Sequence, residues 1–350
     1  MNIIKEESFS TIHNGRAVDL FTLRNKNGLV CQITNYGAII VTLFVPDREG
    51  NLADIVQGYD TAKEYINGNG PYMGAICGRC ANRIEKGKFS LHNRNYTLAV
   101  NNGPNHLHGG INGFSRVVWD VVRSGPSGLQ LLYLSSDGEE GYPGNLRVTV
   151  TYTLTDRNEL RLDYSASSDK TTVVNLASHS YFNLSGEGSG SIYDHELLIN
   201  GDFFTPADNT NIPTGEIVCV KGTPMDFTRP RKIGESIDIN DEQLKFGAGY
   251  DHNWVLNHRA GTLGLAAVAY DPKSGRVMEI RTTQPGVQLY TANWIDNEKG
   301  KGGKKYQRRW SFCLETQHFP DAVNKPHFPS TILKQGKEYR HTVIHKFNVK

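Results

Sequence analysis

A glutamate follows three apolar residues in the segment FCLETQHFP, where Phe312, Cys313 and Leu314 lead into Glu315 in what reads as a buried strand. A buried carboxylate persists where it is paired, hydrogen-bonded or at work, because removing its charge from water is costly. The second such residue is His179 in NLASHSYFNLSG (175–186), a single imidazole among small, hydroxyl and aromatic side chains. Histidine, with an ordinary pKa of about 6.5, is the side chain best suited to giving and taking protons near neutrality. A structural ion pair at Glu315 and a satisfied core histidine at His179 are the plain readings. A general base and a general acid are the chemical ones.

Three further segments place polar residues where a plain strand would carry apolar ones: GRCANRI (78–84), NNGPNHLHGG (101–110) and GYDHNW (249–254). Arg83 and Asp251 are charges set among glycine and aromatic residues, a setting unusual for a core and common for a polar-ligand site. His106 and His108 stand two apart and would share one face of a strand, a spacing that suits metal ligands as well as proton donors. A metal would need further ligands, for which His179 and Glu315 remain open. His106 is expected in an exposed loop, and His108 in the site. Gly, Asn, His, Asp, Arg and Gln with an aromatic platform describe a pocket for a polyhydroxylated neutral molecule, a description that sugars fit.

These side chains must be positioned by strands. Period-two alternation recurs at 30–45, 146–156, 159–167, 264–271, 276–283, 286–294 and 338–347, with turn clusters between them. Helical periodicity is confined to 60–68 and 242–247. The expectation is an all-β protein, one large antiparallel β-sandwich forming a single domain over 1–350, because no linker, low-complexity tract or fixed-period repeat divides the chain.

Composition narrows the function classes. The chain has 350 residues with 38 Lys+Arg against 36 Asp+Glu, which leaves no broad electrostatic footprint for nucleic acid or an anionic membrane. The one basic run, KGKGGKK at 299–305, reads as a solvated loop, since it lacks the Lys-Ser/Thr ending of a phosphate cradle. No apolar stretch has signal-peptide or membrane-span length. Five scattered cysteines fit reduced thiols in a cytoplasm, and the CGRC pair, Cys77 and Cys80, reads as two small buried thiols rather than a redox or zinc motif.

Taken together, the GR-x-ANRI, NG-x-N-x-LHGG, HSYFNL, DHN and CLETQ-x-x-PDA-x-N segments, with TTQPGVQLYT (282–291) and the ending FPSTILKQGKEYRHTVIHKF, resemble the galactose mutarotase (aldose 1-epimerase) family in order and approximate spacing. The resemblance runs from the early strands to the last residues. It implies a galactose mutarotase-like supersandwich and an isomerase that interconverts the α and β anomers of free aldohexoses such as galactose and glucose, without cofactor or metal. It further implies Glu315 as general base, His179 as general acid, and Asn82, Arg83, His108, Asp251 and Gln288 as sugar-binding residues. The partner implied is a free sugar, not nucleic acid or membrane, acted on by a monomer or homodimer. Cys80 stands where a larger apolar residue is usual and Ser178 where Asn is common, and neither touches a proposed catalytic group.

Three rival readings differ in what they require. A hexose-6-phosphate 1-epimerase would aim extra Arg or Lys at a phosphate. A non-catalytic carbohydrate-binding sandwich would be expected to lose the acid/base pair. A His/Glu metal enzyme would need a ligand set. For the acid/base reading, Glu315 is expected near the ordinary carboxylate pKa, and His179 is expected to gain from a nearby anion, Asp251 or Glu315 itself.

Overall fold

The alternating stretches form strands because β-branched and aromatic side chains recur at every second position, so that one face of each can be buried. The structure is a computed structural model that describes residues 3–68 and 70–350; Met1, Asn2 and Asn69 lie outside it. The largest sheet has nine antiparallel strands, with the hairpins of 120–168 meeting the last strand, Glu338–Val349, which in turn pairs with Arg276–Thr282. Along Leu146–Leu154 the residues Leu146, Val148, Val150, Tyr152 and Leu154 are buried in turn, and they belong to the main core. A four-stranded sheet built from 20–54 and a five-stranded sheet built from 203–317 supply the other walls of that core.

The five-stranded sheet carries the chemistry on three neighbouring strands: β1 (Asp251–Val255), β2 (Gly286–Tyr290) and β3 (Cys313–Gln317). Trp254, Val287, Leu289 and Leu314 enter the main core. Alternation then sends the intervening residues to the opposite face. The register aligns them in rows, Asp251 opposite Tyr290 opposite Cys313, and Asn253 opposite Gln288 opposite Glu315. Short strand pairs cover this face. Ile76–Cys77 pairs with Ala177–Ser178, and Arg83–Ile84 with His106–Leu107. The helices are Ala62–Gly68 and Glu242–Phe246, where the two helical patterns were expected.

Two expectations fail here for physical reasons. The strand expected over 30–45 is broken into Val30–Thr34 and Ile39–Pro46, because Gly37 and Ala38 turn through left-handed φ values of 63° and 50°. The run 299–305 is not a wholly solvated loop. Lys301 is 5% exposed and its ammonium donates to the carbonyls of Val41 (2.8 Å) and Val56 (2.7 Å) while pairing with Asp54. A lysine can be buried when all its donors are satisfied, and this one stitches the loop to the four-stranded sheet.

The CGRC pair is buried as expected, with both thiols free. Burial raises the Cys77 thiol well above its usual range and Cys80 to about 12, so neither offers the thiolate that redox chemistry needs. Among the described residues, no helix is long and apolar enough to cross a membrane.

Replacing Lys301 by Met should lower stability by about 3–5 kcal/mol, because Asp54 and two carbonyls would lose their buried partner. Urea unfolding beside the wild type measures it, and a loss below about 1 kcal/mol would place this pair with ordinary surface ion pairs.

Candidate active site

The exposed covering loops and the β1–β3 face enclose a cleft of about 700 Å³ lined by Tyr72, Asn82, Arg83, Asn102, His108, His179, Tyr181, Asp251, Tyr290 and Glu315 among others. At its floor Glu315 is 2% exposed, and its Oε1 lies 3.5 Å from His179 Nε2. Its other oxygen, Oε2, is buried without a hydrogen-bond partner. A buried carboxylate oxygen that the chain leaves unsatisfied is an acceptor held ready for a donor that is not part of the chain.

His179 is held at its backbone, donating its N–H to Ala75 O (2.9 Å) and accepting from Gly74 N (3.0 Å) through its carbonyl. Its ring lies nearly parallel to Tyr181, with centroids 5.0 Å apart, and to Tyr72 at 6.2 Å. Its Nδ1 faces the Cys313 thiol at 3.5 Å.

The electrostatics depart from the simple expectation that Glu315 ionises like a free carboxylate and that a nearby anion favours the imidazolium. Burial raises Glu315 well above the usual carboxylate range, with Asp251 adding to the rise and Arg83 opposing it. Burial lowers His179 to about 4, against the pull of its own carbonyl and Asp251. At His179 desolvation outweighs the pull of the anion, and at Glu315 it outweighs the opposing pull of Arg83. Because the two groups stand 3.5 Å apart, their protons must be counted together.

The sugar-binding candidates are gathered around this pair. Arg83 donates through Nε to Asn102 Oδ1 (3.0 Å) and lies 3.6 Å from Asp251 Oδ2 through Nη2. Gln288 donates to Asp251 Oδ1 at 2.7 Å and accepts from Gln317 Nε2 at 3.4 Å. Both ends of its amide are thus engaged. Gln288 stands behind Asp251 rather than on the cleft wall. Asn82 lines the cleft with φ at 61°, its backbone N–H donating to His108 Nδ1 at 3.2 Å and its carbonyl accepting from His108 N at 3.0 Å.

His106 and His108 do not share a face, contrary to the strand reading. The strand ends at Leu107, and His108 turns through a φ of 51° into the cleft. His106 is not in an exposed loop either. It is fully buried, with Nδ1 2.7 Å from Ala99 O and Nε2 2.7 Å from Tyr142 OH, a satisfied core histidine.

His108, His179 and Glu315 each place a ligand atom within 4.8 Å of the others, so the metal reading has a geometric basis. His108 argues against it. Its Nδ1 lone pair accepts the Asn82 N–H, so the neutral ring carries its proton on Nε2. Neither nitrogen then offers a free lone pair to a cation, and Nε2–H is a donor for a ligand oxygen.

Sequence reasoning missed Tyr72, Tyr181, Tyr290, Asn102 and Cys313. Period two could have found two of them, since Tyr290 follows Gln288 by two on β2 and Cys313 precedes Glu315 by two on β3. Tyr72 gave no signal, since it reaches the cleft from a loop by a φ of 63°.

The sequence model of the aldose 1-epimerase family matches residues 19–346. The chain is 48% identical to galactose mutarotase from Sus scrofa, covering 95% of this chain and 94% of that one. It is 46% identical to the Homo sapiens galactose mutarotase, over 96% and 95% of the two chains. Aldose 1-epimerase from Escherichia coli (strain K12) is 32% identical over 95% of this chain and 96% of its own. The solved structure of a GalM/aldose epimerase homologue from C. elegans superposes with a TM-score of 0.88 at 30% identity, over 95% of this chain and 99% of that one. Galactose 1-epimerase from Lactobacillus acidophilus NCFM gives 0.84 at 26% identity, over 97% of each. A match of this extent, on a large β-sandwich with the paired carboxylate and imidazole in its cleft, means that the chain belongs to the aldose 1-epimerase family, enzymes of the isomerase class.

Proposed function

We propose that the protein, working as one catalytic unit over residues 1–350, interconverts the α and β anomers of free aldohexoses, galactose and glucose among them, by acid/base ring opening and reclosure. The observation that carries this reading is the buried pair, Glu315 Oε1 3.5 Å from His179 Nε2. A hemiacetal bears its hydroxyl and its ring oxygen on one carbon, so the two groups that act on them must stand close together. Glu315 takes the C1 hydroxyl proton, the bond from C1 to the ring oxygen breaks, and His179 gives that oxygen a proton. The aldehyde turns about C1–C2, and closure on its other face returns both protons.

Arg83, Asp251, His108 and Asn82 orient the sugar hydroxyls, with His108 Nε2–H as a donor and Gln288 holding Asp251 in place. The substrate is unphosphorylated, because Arg83 is the one Lys or Arg among the described lining residues and Asp251 already faces it. We place this activity in the cytoplasm, in a monomer or homodimer, consistent with thiols that are all free.

Glu315→Gln should lower turnover by about 10²–10⁴-fold, the range for loss of one proton-transfer group. The fold should be unharmed, since Gln is isosteric and removes a desolvated carboxylate. Polarimetry of fresh α-D-galactose, with a chelator present, makes the measurement. A folded variant with near-normal rates would remove Glu315 as base, and loss of wild-type activity on chelation would restore the metal reading.

The active pair carries one proton, with Glu315 ionised and His179 charged. Below about pH 4, where the lowered histidine titrates, both are protonated and no base remains. Above the raised pKa of Glu315 both protons are gone and no acid remains. The profile of kcat/KM should therefore be a bell, falling below about pH 4 and again above the raised Glu315 pKa. Residual activity of His179→Gln should instead rise with pH through the raised Glu315 pKa. If wild type and variant both showed only an acid limb at the ordinary carboxylate pKa, the coupled-pair account would fail.

A further inference from the structure

The assignment of His179 as acid leaves open which nitrogen of the buried ring bears the proton before the ring becomes charged. The ring has one proton and two nitrogens, and the partner of the inward nitrogen decides which one bears it. In familiar acid/base sites that partner is a carboxylate, which takes an Nδ1–H bond and leaves Nε2 bare as a base. Here the partner of Nδ1 is the Cys313 thiol, 3.5 Å away.

We infer that Cys313 is a positioning residue for His179, its S–H donating to Nδ1 so that the ring proton stands on Nε2, aimed at the substrate ring oxygen. This rests on the reading of His179 as general acid. The surroundings favour the thiol as donor. Cys313 is fully buried, two residues before Glu315 on β3, so alternation turns both side chains to the site face. Burial raises it far above its usual range, which keeps it a thiol with a proton to offer. The aromatic neighbours of His179, Tyr72, Tyr181 and Tyr290, present rings to it, and His108 meets it edge-on at 5.1 Å. Glu315 faces Nε2, while Asp251 and Arg83 act on the ring through charge.

A thiol suits the task because it is both a weak donor and a weak acceptor. In the imidazolium, which carries the one proton of the pair, rotation of S–H lets sulfur accept from Nδ1–H, alongside the histidine's own carbonyl. As the C1 hydroxyl proton passes to Glu315 and Nε2–H passes to the ring oxygen, the neutral ring keeps its proton on Nδ1, and reclosure returns the other to Nε2.

The first measurement needs no substitution: 15N NMR of His179 in the wild-type protein above pH 5, where Nε2–H is expected. A neutral ring protonated on Nδ1 overturns the inference. Cys313→Ala should then lower kcat at least tenfold with KM changed less than twofold, and Cys313→Ser, which keeps an O–H donor, should recover to within about threefold of wild type. Added to His179→Gln, Cys313→Ala should cost nothing more, because its effect runs through the imidazole. An equal cost in both backgrounds, or a folded Cys313→Ala with wild-type kcat, overturns the role of the thiol. Wild-type turnover by His179→Gln would instead overturn the acid assignment itself, so the two failures are distinguishable.

Discussion

A carboxylate and an imidazole held 3.5 Å apart, both almost wholly removed from water, constrain everything around them. In water each would settle its own charge. In the cleft, desolvation pushes Glu315 toward its neutral acid and His179 toward its neutral base, so a proton shared by the empty pair favours the carboxyl side. Anomer interconversion needs that proton on the other side. Sugar hydroxyls that donate to the orphaned Glu315 Oε2 would stabilise the carboxylate, and binding thereby shifts the pair toward its working state.

Such a pair can stand only on a frame that cannot relax around it. Three adjacent strands supply it, packed on one face by Trp254, Val287, Leu289 and Leu314 and covered on the other by short strand pairs. The polar side chains behind the pair form a continuous run in which Gln317 donates to Gln288, Gln288 to Asp251, and Arg83 links Asp251 to Asn102. Each member lends the next its geometry. The reciprocal backbone bonds of Asn82 and His108, both in left-handed conformation, fix the tautomer of His108 as a donor.

The sheets were legible because alternation is a long signal: Leu146–Leu154 and Glu159–Ser168 lie where their period-two runs stand. Glu315 was legible for the opposite reason, as a charge that breaks an apolar run. What the sequence hid depends on single torsions or on partners remote in the chain. His108 parts from His106 at one positive φ, and no local pattern announces it. Lys301 looks solvated among its glycines because its acceptors, Val41, Asp54 and Val56, lie some two hundred and fifty residues earlier. The expected pKa of the catalytic pair was off for a related reason, since nearness of Asp251 can be guessed from motifs but the depth at which the pair is buried cannot.

Asp251 and Arg83 are the two charges that act on both catalytic groups, and they act on both with the same sign. Asp251 raises Glu315 and His179 alike, and Arg83 lowers both. A field that moves two titrations together cannot decide which of the two groups holds a shared proton. It sets the pH range over which the pair carries one proton in total. The division of that proton falls instead to contacts that touch one member alone, Cys313 at His179 Nδ1 and the substrate at Glu315 Oε2. The site thus separates two jobs that a simpler dyad would combine, with the working range set by the neighbouring ion pair and the direction of transfer set by direct contacts to each member. Changes at Asp251 or Arg83 and changes at Cys313 are accordingly different experiments, the first moving the pH window as well as the sugar contacts and the second changing turnover within the window.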